Sequence, residues 1–351
     1  MKSYIGERIL VTGGSGFIGV NLIENLLAAG CNVLNFDIKN PINISHSNIW
    51  RNVDLRSREN LFVAIKDFSP TQIYHLGAKT DLNSDSIIDY SANTDGITNL
   101  IDACINAGGV KRVIFASSRL VCKIGYQPTA DDDYCPTTAY GESKVIGERI
   151  VRDYENLPFE WVIVRPTSIW GPWFDVPYKL FFDHVRAGRY IHPRNMIIRK
   201  SFGFVGNTIF QLKKLMSAQS NLINNNTFYL GDYEPIEVLE FSKKIANKFL
   251  VREPLSVSSW LLSVAAKFGD ILVFIGYKNA PLTSFRLKNL KSEMIHDFKE
   301  LPIITGQLPY DINEGINLTI NWINNRLKSS IILSTKIYQN LKFQKIFVVR
   351  A

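Results

Sequence analysis

Arg8-Ile9-Leu10-Val11 is a short apolar run leading directly into Thr12-Gly13-Gly14-Ser15-Gly16-Phe17-Ile18-Gly19, and a helical pattern through Leu22, Leu26 and Leu27 follows. Strand, glycine-rich turn and helix in that order leave little choice of fold, because this is the context in which a dinucleotide-binding fingerprint occurs. Glycines permit the tight turn and let the backbone approach a pyrophosphate, which rests on the helix N-terminus. A bare glycine triplet is more often a loop than a cofactor site. Here Asn32-Val33-Leu34-Asn35-Phe36-Asp37 supplies a second strand ending in an acid at about the expected distance. A carboxylate at Asp37 can accept hydrogen bonds from both hydroxyls of an adenosine ribose and would repel a 2′-phosphate. NAD is therefore favoured over NADP.

The alternation continues. Ile49 to Val53 reads as a strand with Asp54-Leu55-Arg56 at its carboxyl end, and a helix over about 57–67 follows. Gln72 to Leu76 is the next strand, ending in Gly77-Ala78, and Asn93 to Ala107 is helical. Lys111 to Ala116 ends at Ser117-Ser118, and Trp161 to Val164 is closed by Arg165-Pro166-Thr167-Ser168-Ile169-Trp170-Gly171-Pro172. Strands alternating with helices predict an α/β fold, a doubly wound parallel sheet with ligands at the carboxyl ends of its strands. His75 reads as a histidine satisfied inside the core. Asp131-Asp132-Asp133 reads as a solvated loop whose acids suit the dipole of the helix that follows. Beyond about 172 the pattern weakens. Arg199 to Asn207 looks like a short strand into a turn, and Glu237 to Phe249 like a helix. Leu255 to Tyr277 is apolar but interrupted by Lys267 and Asp270, and its longest uncharged run is 12 residues. A membrane span needs about 18, so buried helices or a surface-lying helix are the alternatives.

Tyr140-Gly141-Glu142-Ser143-Lys144 places a phenol and an ammonium one helical turn apart, with about 6 Å between Cβ atoms. A cation about 4 Å from a phenol contributes roughly 4 kcal/mol at intermediate polarity, or about three pKa units. That would bring the phenol from about 10 to near 7, where it exchanges a proton with an alcohol or ketone. By itself the pair is a chance occurrence on many helix faces, and its weight comes from its surroundings.

The net charge of +8 is unevenly placed: residues 1–175 carry −4 and residues 176–351 carry +12. A basic second half suits an anionic small molecule, a membrane surface or nucleic acid. No basic stripe with interleaved aromatics is present, which ranks nucleic acid last. Cys31, Cys104, Cys122 and Cys135 form no Cys-x-x-Cys pair and have no histidine at metal spacing, so no metal site is expected. They read as reduced thiols of a cytoplasmic protein. The N-terminus shows no signal peptide pattern. From Leu327 to the end there is no acid, and Ile331-Ile332-Leu333 and Ile346-Phe347-Val348-Val349 bracket Lys336, Lys342 and Lys345. Such a tail suits an anionic membrane surface, a reading ranked behind packing on the protein or disorder.

Together these pieces resemble the extended short-chain dehydrogenase/reductase family, in its NAD-dependent nucleotide-sugar epimerase/dehydratase branch. The pieces are Thr12 to Gly19, Asp37, Asp54-Leu55-Arg56, His75-Leu76-Gly77-Ala78, Asn93, Ser117-Ser118, Tyr140 to Lys144 and Arg165-Pro166. The resemblance implies a Rossmann-type domain over 1–172, with segments returning from about 200–230. It also implies a smaller C-terminal α/β substrate-binding region over 173–326 and leaves 327–351 as a basic apolar extension. It further implies Tyr140 as acid/base, Lys144 as the cation that lowers its pKa and holds the nicotinamide ribose, and Ser118 at the reacting oxygen. Gly13, Gly16, Phe17, Ile18 and Gly19 would line the pyrophosphate, Asp37 the ribose, Asp54 and Leu55 the adenine. Leu76, Gly77, Ala78 and Asn93 would border the rest of the cofactor. Thr80, Ser168, Arg199, Lys200 and Arg286 would face a nucleotide-diphosphate sugar, with Arg286 able to hold a diphosphate by paired hydrogen bonds.

Three departures stand out. Cys122-Lys123 replaces a Tyr-Gly pair, Ser168 replaces an asparagine, and Arg119-Leu120 lacks the carboxylate that 4,6-dehydratases carry after the serine. The implied reaction is C4 epimerisation through a 4-keto sugar. A reductase or dehydrogenase is the alternative; a 4,6-dehydratase or a non-catalytic NAD-binding partner protein ranks lower. A homodimer and a place in polysaccharide sugar supply are implied by the resemblance alone.

Overall fold

Successive residues of the first strand enter different cores. In a computed structural model describing residues 6–175, 178–277, 282–298 and 300–327, Ile9 and Val11 join one buried cluster while Leu10 joins another. The two-residue period of a strand buried on both faces accounts for this. The same division runs through neighbouring strands: Tyr74, Ile114 and Val162 lie on one face, Ile73, Val113 and Ile163 on the other.

Seven parallel strands form this sheet: β1 (Arg8–Thr12), β2 (Asn32–Phe36), β3 (Trp50–Arg51), β4 (Gln72–His75), β5 (Arg112–Ala116), β6 (Glu160–Pro166) and β11 (Asn226–Leu230). Their order is β11-β6-β5-β4-β1-β2-β3. The chain therefore starts at the centre, winds to one edge, crosses back and winds to the other, which puts a topological switch point beside β1. Helices α1 (Phe17–Ala28) and α6 (Val205–Ser217) contribute to the first cluster; α2 (Arg58–Phe68) and α3 (Asp95–Ala107) contribute to the second. Helix α4 (Ala139–Asp153) begins at Thr138, whose hydroxyl accepts the Gly141 N–H at 3.0 Å.

The predicted strand over Ile49–Val53 narrows to Trp50–Arg51, and the Asn93 helix begins at Asp95. The acids 131–133 precede the α4 cap by several residues. Asp133 instead organises its own loop, accepting from the Tyr126 hydroxyl at 2.7 Å and the Thr129 N–H at 2.8 Å.

The second half adds short strands in pairs: β7 (Ser168–Trp170) with β10 (Phe202–Phe204), β8 (Ile191–Pro193) with β13 (Leu255–Val257), and β9 (Arg199–Lys200) with β12 (Ile236–Glu237). Helices α5 (Tyr178–Arg186), α7 (Ser220–Ile223), α8 (Val238–Phe249), α9 (Ser259–Phe274), α10 (Ser284–Lys291) and α11 (Leu301–Thr305) complete it, with a last helix over 312–327. The expected bracket of apolar runs at 331–349 lies outside the described residues.

Candidate active site

The glycine turn is shaped by close approach. Gly13 sits at φ +70, and a Cβ there would lie 2.6 Å from the Gly77 nitrogen; one on Gly19 would lie 2.4 Å from the Gly13 carbonyl oxygen. No side chain fits at either position. Gly16 is the N-cap of α1, which has no side-chain cap and no acid in its first turn. Its first N–H groups are left for an anion, and the local dipole favours one. The Asp37 carboxylate folds over the turn, accepting the Ser15 N–H at 3.0 Å and the Lys39 N–H at 2.9 Å. These two bonds orient it while leaving lone pairs for ribose hydroxyls.

The rest of the cofactor wall divides. Asp54 binds Arg56 through both carboxylate oxygens, and this partner holds its pKa below the usual range. Leu55, expected beside the adenine, is buried and directs its side chain beneath Gly77 and Gly96, where it supports the floor. Asn93 uses its amide within the protein, accepting the Lys79 N–H at 2.8 Å and donating to the Lys79 carbonyl and the Ser143 hydroxyl. It ties the segment after β4 to α4. His75 is the core histidine expected, 2.8 Å from the Thr12 hydroxyl, and burial pushes it down to about 3.

Tyr140 enters from the first turn of α4 and is 8% exposed. The Ser118 hydroxyl, which lies close enough to act on its phenol, accepts the Leu120 N–H at 3.1 Å. Lys144, one turn on, donates from Nζ to the Ala116 carbonyl at the end of β5, 2.8 Å away. The helical spacing alone predicts that the ammonium draws the phenol down toward 7. The structure reverses this. Burial pushes Tyr140 up to about 12, with Tyr178 and Tyr90 acting in the same sense; the Ser118 hydrogen bond and the Arg119 charge oppose it. Burial also pushes Lys144 down to about 8, opposed by Glu148.

On the substrate side, Ser168 is buried in β7 and accepts the Tyr178 hydroxyl at 3.0 Å. Lys200 reaches from β9 to the Asn289 carbonyl of α10, 2.9 Å away, and so joins the short helix that carries Arg286. Burial and then the charge of Arg119 push Lys200 down to about 8. Arg199 is exposed, as is Thr80, which makes no side-chain hydrogen bond among the described residues.

Two residues of the site escape a reading of the sequence. Arg119 stands out there only for the carboxylate it displaces, yet its charge acts on Tyr140, Lys200 and His296 together. Glu148 gives no motif of its own, although it lies four and eight residues beyond Lys144 and Tyr140, on the same helical face.

A parallel doubly wound sheet, an uncapped glycine turn and a Tyr-Lys helix at the carboxyl ends of its strands define a dinucleotide-binding α/β protein. The chain belongs to the NAD dependent epimerase/dehydratase family, whose model matches residues 9–189. It is 24% identical over 327 residues to the N-acetyl-alpha-D-glucosaminyl-diphospho-ditrans,octacis-undecaprenol 4-epimerase of Escherichia coli O157:H7, covering 91% of this chain and 96% of that protein. It is 27% identical over 259 residues to a 3-beta-hydroxysteroid dehydrogenase of Mycolicibacterium neoaurum, covering 68% and 69% respectively. Its fold matches the UDP-glucose 4-epimerase of Thermotoga maritima at TM-score 0.70 and 18% identity, covering 91% of this chain and 99% of that one. The NAD complex of the Thermus thermophilus UDP-glucose 4-epimerase matches at TM-score 0.68 and 21% identity, covering 90% and 99%.

Proposed function

We propose that the protein is an NAD-dependent epimerase of nucleotide-diphosphate sugars, inverting C4 through a 4-keto sugar. The observation that carries this reading is Tyr140 in the first turn of α4 with Lys144 one turn further along, its Nζ held on the Ala116 carbonyl at the carboxyl end of β5. NAD, when bound, would supply the hydride acceptor, and the positive charge of its nicotinamide would favour the ionised phenol. Gly13, Gly16 and Gly19 would admit its pyrophosphate, Asp37 its adenosine ribose, and Lys144 its nicotinamide ribose. Tyr140 takes the C4 hydroxyl proton as the C4 hydride leaves, and Ser118 holds the resulting carbonyl oxygen. On the return, with the opposite face of the 4-keto sugar presented to the cofactor, Tyr140 would give the proton back to the C4 oxygen held by Ser118. Lys200 and Arg286 would meet the diphosphate.

A second reading is a reductase or dehydrogenase that exchanges its cofactor; the burial that pushes the Tyr140 phenol up suits the acid that ketone reduction requires. Incubation with UDP-hexoses and no added nicotinamide distinguishes the two. Epimer formation supports the first reading; turnover only with added NAD(H) or NADP(H) supports the second. A parallel arm with a polyprenyl-diphospho-N-acetylhexosamine tests the carrier named for the Escherichia coli relative.

A further inference from the structure

Helix α9 turns one side to the protein. Leu262 and Ala266 are buried with Leu287 of α10, and a Cβ on Gly269 would lie 1.7 Å from the Leu282 carbonyl oxygen, which fixes the rotation of the helix. The other side carries Trp260 (70% exposed), Val264, Phe268 (61%), Ile271 and Ile275 at helical spacing, with Leu261 and Phe274 (91%) beside them. Phe285 of α10 is exposed as well. Single exposed apolar residues need no explanation, whereas a contiguous stripe marks a surface that something covers.

The charge around the stripe selects what covers it. The described residues 258–277 and 282–292 contain Lys267, Arg286, Lys288 and Lys291 against the single acid Asp270. Asp270 accepts the Ser284 N–H at 3.0 Å, so its charge is directed at the start of α10. A second copy meeting this face symmetrically would bring like charges together. An anionic bilayer brings the complementary sign and an apolar interior for the aromatic side chains.

We propose that the exposed face of α9, with the cations around it, seats the protein on an anionic lipid surface, Trp260, Phe268 and Phe274 entering the headgroup region. This is a surface-lying contact; among the described residues no helix is long and apolar enough to cross a membrane. Because α10 carries both Arg286 and the carbonyl that holds Lys200, the lipid would lie beside the substrate side of the molecule.

The test is flotation of the full chain with vesicles of phosphatidylglycerol and phosphatidylcholine, and with phosphatidylcholine alone. The protein should float with the anionic vesicles and about fivefold less with the neutral ones. Phe268→Glu with Phe274→Glu should lower the bound fraction about tenfold, while circular dichroism and retained NAD report an intact fold. Three results overturn the proposal. The first is wild-type protein that binds neither kind of vesicle. The second is flotation that survives the α9 substitutions yet vanishes in Lys336→Glu/Lys342→Glu/Lys345→Glu. The third is a change of sedimenting mass in the α9 variant with flotation unchanged, which would assign the face to self-association.

Discussion

Glu148 lies one turn beyond Lys144 on α4 and holds Arg165 of β6 by two hydrogen bonds, 2.8 Å from Nε and 2.6 Å from Nη2, with both side chains 1% exposed. The hydroxyls of Ser117 and Tyr134 also donate to this carboxylate. A buried pair in this position braces the helix carrying Tyr140 against the sheet, and each charge depends on the other for solvation. Glu148→Ala leaves the guanidinium buried without its anion and should cost about 3–5 kcal/mol in urea unfolding. A loss below about 1 kcal/mol would show that water reaches Arg165.

Tyr140→Phe keeps the ring and removes the proton carrier. We expect kcat to fall about 10²–10⁴-fold with KM changed little, because the loss is confined to proton transfer. Rapid-mixing absorbance of the reduced nicotinamide measures the first hydride transfer directly. Near-wild-type transfer in this variant would remove Tyr140 from the mechanism.

Stability should rise with pH just above 8. Lys144 and Lys200 are held at about 8 against an ordinary 10.5, so in this range the unfolded chain binds protons that the folded chain has released. The slope of unfolding free energy is therefore positive. Cys104, pushed upward from 9.0, and Tyr140, pushed upward from 10.0, act in the opposite sense at higher pH, which confines the window to pH 8–9. Lys200→Met should lower that slope by up to about 1.4 kcal/mol per pH unit. An unchanged slope, measured by urea unfolding at the two ends of the window, refutes the burial of that charge.

Gly19→Ala adds one methyl group where the Gly13 carbonyl already sits. The turn must open to admit it, and the protein should purify without the NAD that mass spectrometry is expected to find on the wild type. Gly16→Ala meets only the Gly13 carbonyl at 3.3 Å within the protein, so there the turn keeps its shape and cofactor is lost only through contact of the new methyl with the pyrophosphate. Wild-type retention of NAD by Gly19→Ala would mean that packing does not set the cradle.

The fold is readable from the sequence because it repeats local signals. Apart from the two-residue β3, the strands of the central sheet are buried on both faces, and Asp37 and Ser118 fall just beyond the ends of β2 and β5. The glycine turn is readable for the same reason, since close approach leaves a residue type and not just a shape. What a sequence does not carry is environment. The spacing of Tyr140 and Lys144 is right, but the pKa shift depends on burial and on where Nζ finds its acceptor, and Ala116 is 28 residues away in the chain. Arg119 becomes a candidate only when β9 and the chain around His296 come within reach of its charge.

Strand β11 completes the sheet beside β6, and Arg112 of β5 donates to the carbonyls of Leu215 and Met216 at the end of α6. The nucleotide half is thus not a contiguous stretch of chain. A ribosome must release about 230 residues before this sheet can close, so during synthesis the edge of β6 waits open for a strand that has yet to emerge. Cutting the gene at the end of the recognisable family match would leave that edge exposed to other chains rather than yield a smaller working module.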